Sequence, residues 1–251
     1  MNSKPTVLSV AGFDPSGCAG LLADIKTFEA FNVYGIAVCT ANTCQSDIEF
    51  TAPNWIPVEQ ILSQYHILQK RFHFDYVKIG IIENLKVLNT IIDLMRYDNK
   101  QLKIVWDPVL KASSGFEFHQ SVSLPEIENI CKKTYLITPN LEEVSMMLPD
   151  FKPEEAGGYL TAFCNVLIKG GHASGKESID VLYSSDAINH FEGNRLTDYN
   201  KRGTGCVLSS AITAGLAKGE SLPDACKAAK KYVTGYISSN HSLVGYHNYI
   251  Q

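Results

Sequence analysis

Residues 6–31 read TVLSVAGFDPSGCAGLLADIKTFEAF. Thr6 to Ala11 is a short run carrying Val and Leu, the pattern of a buried strand. It ends in the glycine-rich loop 12–20, which opens onto Leu21 to Phe31, amphipathic at helical spacing with Leu21, Ile25 and Phe28 inward. Strand, glycine loop and helix make the first half of a βαβ unit. The loop is similar to a dinucleotide fingerprint, but its spacing does not match G-x-G-x-x-G. It either brings Gly12 and its neighbours close to a small ligand or serves as a turn and helix cap. Asp24 is either an acid favoured by the helix dipole or a side chain aimed back at that ligand.

The same alternation runs outward from this unit. Strand patterns cover Tyr34–Thr43, Tyr76–Ile79, Leu102–Trp106, Tyr135–Thr138 and Asn165–Ile168. Helical patterns begin at Pro57 and at Asn84, the second with Leu85, Leu88, Ile91, Ile92 and Met95 on one side. Further helices begin near Asn140, after Gly205 and at Pro223. Ile179–Tyr183 and Ala187–Phe191 flank Ser-Ser-Asp, a hairpin signal. The expectation is an α/β chain: one doubly wound, mostly parallel sheet with helices on both faces, an antiparallel hairpin at one edge, and a single domain over residues 1–251.

Of 251 residues, 45% are apolar and 19% charged, which suits a chain with a sizeable core. The net charge of −4 and the absence of a basic run argue against nucleic acid. No signal peptide and no apolar run of membrane-spanning length is apparent, so no membrane partner is expected. The seven cysteines are odd in number and form no CxxC, which reads as reduced thiols in a cytoplasmic protein.

The chemistry-bearing residues follow the strands, at the edge where open α/β sheets bind ligands. Lys201-Arg202-Gly203-Thr204-Gly205-Cys206 precedes a small-residue helix. Its glycines and the unpaired N–H groups of a helix start form an anion hole, where a phosphoryl group can sit. Cys206 lies at its mouth, and the helix N-terminus is expected to lower the thiol pKa and make it a general base. Gln45 offers donors and an acceptor to a heteroaromatic ring, or is an ordinary loop residue. Asp107 suits a metal or phosphate site. Asn140 and Glu143 are an N-cap and a first-turn acid, or contacts to nucleotide phosphates and Mg²⁺. Lys169, Gly170 and Gly171 form another phosphate-facing turn, with His172 beyond it. Lys111 to Gly115 is the candidate lid.

Six segments occur together in order: AGFDPSGCAGLLADIKTFEAF, KIG at 78–80, WDPVL, ITPNLEE, KGGH and GTGC. Over residues 6–220 the chain resembles the hydroxymethylpyrimidine/phosphomethylpyrimidine kinases of thiamine biosynthesis, in the ribokinase-like superfamily. The resemblance implies an ATP- and Mg²⁺-dependent kinase for a small heteroaromatic alcohol and its monophosphate, expected to be a homodimer. It implies that Gly12, Asp24, Gln45, Ile81 and Val109 surround the pyrimidine. Asp107 and Glu143 would serve the metal, with Asn140 at the triphosphate, and Lys169, Gly170 and Gly171 would hold the nucleotide. Gly203, Thr204 and Gly205 would form the anion hole beside the base Cys206. Cys18 and Asn42 depart from the family pattern, and both are expected to reshape the pocket. A pyridoxal or pyridoxine kinase is the nearest alternative. The loop Leu110–Ser113 lacks the second cysteine that some of those enzymes use. A non-catalytic vitamin or nucleotide sensor is the reading from another class. Pro153, Gly157 and Gly158 suggest a shortened helix after Glu143.

Overall fold

A computed structural model describes residues 4–111, 118, 122–171, 177–196 and 198–248. Its sheet is built from the alternating units anticipated above. Strands β1 (Thr6–Phe13), β2 (Tyr34–Gln45), β4 (Tyr76–Ile79), β5 (Lys103–Trp106), β6 (Leu136–Ile137) and β7 (Asn165–Ile168) pair in parallel. Strand β3 (Phe50–Trp55) runs antiparallel to β2 at one edge. Strands β8 (Glu177–Tyr183) and β9 (Ile188–Asn194) form the expected hairpin at the other edge, β8 antiparallel to β7. The order is β3-β2-β1-β4-β5-β6-β7-β8-β9.

Alternation along the strands divides the core into two layers. Leu8, Val10, Val38, Ile104 and Ile137 face one cluster, and Val7, Val105, Leu136 and Leu167 face the other. The first cluster is closed by α2 (Val58–Gln69), α3 (Leu85–Asp98), α4 (Leu124–Cys131), α5 (Leu141–Met147) and α6 (Pro153–Leu160). The second is closed by α1 (Gly20–Ala30), α7 (Thr204–Ala217) and α8 (Leu222–Ser238). The five inward residues expected of α3 are all buried, because a 3.6-residue period leaves them on one side.

Two elements depart from the expectation. Strand β3 makes the second edge antiparallel too; Pro53 conceals it in the sequence, and proline is tolerated there because an edge strand has one unpaired side. Helix α4, with proline in its first turn, was not anticipated. Helix α6 spans eight residues, and its Gly157 lies where a Cβ would sit 2.5 Å from the Tyr183 ring.

The chain leaves β1 for β2 on one side and returns to β4 on the other. The crevice over the carboxyl ends of β1 and β4 is therefore the point where strand order reverses, the usual ligand position in such sheets.

Candidate active site

A cavity of about 400 Å³ opens at this crevice. Gly12, Gln45, Ile81 and Val109 line it, together with Asp107, Asn140, Glu143, Lys169, Gly171 and the whole Gly203–Cys206 segment. Gly12 and Ile81 pack directly together: a Cβ on Gly12 would meet the Ile81 side chain at 2.5 Å. The Thr40 hydroxyl donates to the Ile81 carbonyl at 2.7 Å and holds that turn in place.

The first loop is tied by one carboxylate. Asp14 accepts from the Ser16, Cys18 and Ala19 backbone N–H groups at 2.8, 3.1 and 2.9 Å. Cys18 is buried and lines the cavity. Asn42 does not: successive side chains alternate along β2, so Thr43 and Gln45 face the cavity and Asn42 is exposed.

Gly203 caps α7 in the left-handed region (φ 71°), and a Cβ there would fall 1.8 Å from the Cys18 carbonyl oxygen. This close approach locks the start of α7 onto the first glycine loop. A Cβ on Gly205 would lie 3.3 Å from Lys169 Nζ and 3.6 Å from Asp107 Oδ2. The anion-hole segment thus faces the charged cluster. Lys169 Nζ lies 2.7 Å from Asp107 Oδ1 and 3.8 Å from Glu143 Oε2. Asp107 also accepts from Thr138 and Ser209 hydroxyls. Glu143 is bound locally: its carboxylate accepts from the Asn140 N–H at 2.7 Å, and Asn140 Oδ1 accepts from the Glu143 N–H at 2.8 Å. Asn140 is therefore the N-cap of α5 in a reciprocal capping box.

Two carboxylates share one ammonium here. Burial raises the Asp107 pKa, but Lys169 and then Lys78 more than offset it and hold the carboxyl below its usual range. Burial pushes Glu143 up to about 7; Lys169 opposes this and Asp107 adds to it. Among the described residues, no three His, Cys, Asp or Glu side chains gather to cage a metal. The donor set fits a hard cation that keeps water and phosphate ligands and takes one or two carboxylates from protein.

Three expectations of the sequence change. Asp24 is not a wall residue. It is fully buried behind Lys78, whose Nζ contacts both its oxygens at 2.9 Å, and it also accepts from Ser9 and Ser210 hydroxyls. Four hydrogen bonds saturate a carboxylate. Gly170 does not line the cavity either. A Cβ there would sit 1.9 Å from the Ile179 carbonyl oxygen, and its N–H donates to Asp180, so this glycine is required by strand packing. The Cys206 thiol is not lowered. Burial pushes it up to about 11, a cost that Lys78 reduces without cancelling. The lid expectation beyond Lys111, and His172, lie outside the described residues.

Lys78 is the residue whose role the sequence reading missed. The signal was present: a lysine between Val77 and Ile79 on a strand buried on both faces must have a partner. Lys78 lines the cavity. Cys206 stands one turn before Ser210 on α7, on the same helix face, so Ser210, Asp24 and Lys78 form a bonded chain beneath it. Phe50 and Phe118, whose rings meet edge-on at 5.5 Å, were also missed; they line the cavity near Gln45.

The family model described as phosphomethylpyrimidine kinase matches residues 14–251. The chain belongs to this family. A hydroxymethylpyrimidine/phosphomethylpyrimidine kinase of Aquifex aeolicus is 36% identical over 245 residues, covering 94% of this chain and 95% of the relative. Among solved structures, the phosphomethylpyrimidine kinase of Clostridium difficile is 30% identical, with a TM-score of 0.77 over 94% of this chain and 100% of that one. An ADP complex of Bacillus subtilis pyridoxal kinase is 28% identical, with a TM-score of 0.84 over 98% of both chains. The fold is thus shared by phosphomethylpyrimidine and pyridoxal kinases, and the matching family model is that of the former.

Proposed function

We propose that this chain is a kinase that transfers the γ-phosphoryl group of ATP to 4-amino-5-hydroxymethyl-2-methylpyrimidine and then to its monophosphate, in thiamine biosynthesis. The observation that carries this reading is that one cavity is lined both by Gly12, Gln45, Ile81 and Val109 and by Lys169, the carboxylate pair and the anion-hole segment. Phosphoryl transfer requires positioning and charge neutralisation above all, and these groups supply both.

In this reading Gln45 hydrogen-bonds the ring while Ile81 and Val109 flank it. The N–H groups of Gly203 to Cys206 receive the charge that develops on the transferred group. Lys169 and Gly171 hold the nucleotide. Asp107 and Glu143 would hold Mg²⁺, which supplies charge neutralisation between the phosphates when bound. Cys206 removes the proton of the acceptor hydroxyl, and Lys78 offsets the charge of its thiolate. Asp24 acts through Lys78. We further propose a single domain over residues 1–251, a homodimer and a cytoplasmic location. The location agrees with seven free cysteines and with the absence of a helix long and apolar enough to cross a membrane among the described residues.

The fold similarity to pyridoxal kinase makes that activity the second reading. ATP consumption with Mg²⁺ is the test, run against the pyrimidine alcohol, its monophosphate, pyridoxal, pyridoxine and a blank. Turnover of the first two is expected. A far higher kcat/KM with pyridoxal would move the protein to vitamin B6 salvage.

A further inference from the structure

The cations lining the cavity are nearly all committed. Lys78 is held by Asp24, Lys169 by Asp107, and Lys230 by Asp180 at 2.9 Å. Lys201 is buried, with its ammonium 2.5 Å from the Asn240 carbonyl and 2.6 Å from that of Ser242. Arg202 differs. Its Nε donates to the Asp47 backbone carbonyl at 2.8 Å, and its two terminal nitrogens have neither a hydrogen-bond partner nor a carboxylate within ion-pair distance among the described residues. Arg195 also lacks a carboxylate there, but it reaches the Gly171 carbonyl at 3.1 Å, beside Lys169.

The position of Arg202 is well defined. It immediately precedes Gly203, the left-handed cap of α7. Its own N–H donates to the Leu243 carbonyl at 2.9 Å, and the Tyr236 hydroxyl donates to its carbonyl at 3.3 Å. Asp47, which it grips, is two residues beyond Gln45. The Arg202 side chain therefore links the anion-hole segment to the turn that follows Gln45, and all of these residues line the cavity.

The two acceptors differ in one respect that this position addresses. The alcohol is neutral where it reacts. The monophosphate brings about two negative charges at neutral pH next to the phosphates of ATP. Its binding needs a cation beyond those that serve the nucleotide. A guanidinium with two free N–H edges suits a phosphate, and with Nε already fixed it loses little freedom on binding.

We propose that Arg202 binds the phosphate of the phosphorylated acceptor and thereby determines whether this chain performs the second phosphorylation. The assignment rests on the kinase reading proposed above. The test is steady-state kinetics of wild type, Arg202→Gln and Arg202→Lys with each acceptor and with ATP varied. Arg202→Gln is expected to lower kcat/KM for the monophosphate by about a hundredfold relative to its effect on the alcohol, as loss of charged hydrogen bonds predicts. Arg202→Lys, which keeps the charge without the fork, should lose about tenfold on the same ratio. Equal losses with both acceptors would overturn the inference and make Arg202 an anchor of the Asp47 turn. A raised KM for ATP in both reactions would reassign it to the nucleotide. An unchanged ratio in both variants would also overturn it. Wild-type enzyme active on the alcohol alone would overturn the inference and leave the kinase reading standing, and inactivity on both acceptors would defeat the kinase reading.

Discussion

Lys78 and Lys169 both stand at the carboxyl ends of central parallel strands, and both meet a buried aspartate. Their surroundings are opposite. The Lys78–Asp24 pair is fully enclosed and saturated, with Ser9 and Ser210 completing the aspartate. The Lys169 pair is left 13% and 1% exposed, and a second carboxylate, Glu143, waits at 3.8 Å. Burial opposes the charge of each lysine, and the carboxylates more than offset it, so both ammonium groups are held above their usual range. The difference appears on the acids. Asp24 has no bonding capacity left, whereas burial pushes Glu143 up to about 7, with Lys169 opposing and Asp107 adding to the rise. A saturated pair fixes a geometry, and an under-neutralised cluster is prepared to accept more positive charge.

The contrast is broken most sharply by removing each lysine. Lys78→Met leaves Asp24 buried and unpaired and should cost about 3–5 kcal/mol in urea unfolding. Lys169→Met should cost less, about 1–3 kcal/mol, because the Asp107 that it unpairs keeps the Thr138 and Ser209 hydroxyls and the nearby charge of Lys78. Equal losses would mean that the two sites are electrostatically alike.

The pH–rate profile sharpens it next. With Cys206 near 11, kcat/KM should rise about tenfold per pH unit between pH 7 and 9, as the thiolate fraction does. A plateau beginning near neutral pH would show that the helix start lowers the thiol of the free enzyme after all. Cys206→Ala should abolish the rise.

The smallest effect concerns Glu143. Its folded pKa lies above its unfolded value, so the folded state binds the extra proton and stability falls as pH rises from about 4.5 through 7. Glu143→Gln should therefore raise stability by about 1 kcal/mol at pH 8 and have little effect below pH 4.5. Thermal unfolding with and without Mg²⁺ gives the converse: stabilisation by the cation should be greater at pH 8 than at pH 6 in wild type and small in the variant.

Much of the architecture was legible because it is written in local periods. The inward face of α3 and the β8–β9 hairpin follow from alternation and turn chemistry within a few residues. Strand β3 escaped because Pro53 disguises an edge strand, whose partner is chosen by the sheet. At the site, Gln45, Asp107 and Lys169 were legible as residues at strand ends and Gly203 to Cys206 as a glycine turn opening a helix, whereas Ile81 and Val109 came only from the family resemblance. Asp24 and Gly170 were misread because their partners lie on other elements.

The sequence by itself determined most of the succession of strands and helices, all but β3 and α4, together with the glycines that allow close approach and the family. Those depend on short-range sterics and hydrophobic periodicity. Only the tertiary structure decided which charges neutralise one another. Asp24 is saturated by Ser210 from 186 positions away, and Cys206 is raised by enclosure that no neighbouring residue reports. The ionisation of a buried group depends on lost water and on partners brought by the fold, and neither is encoded locally.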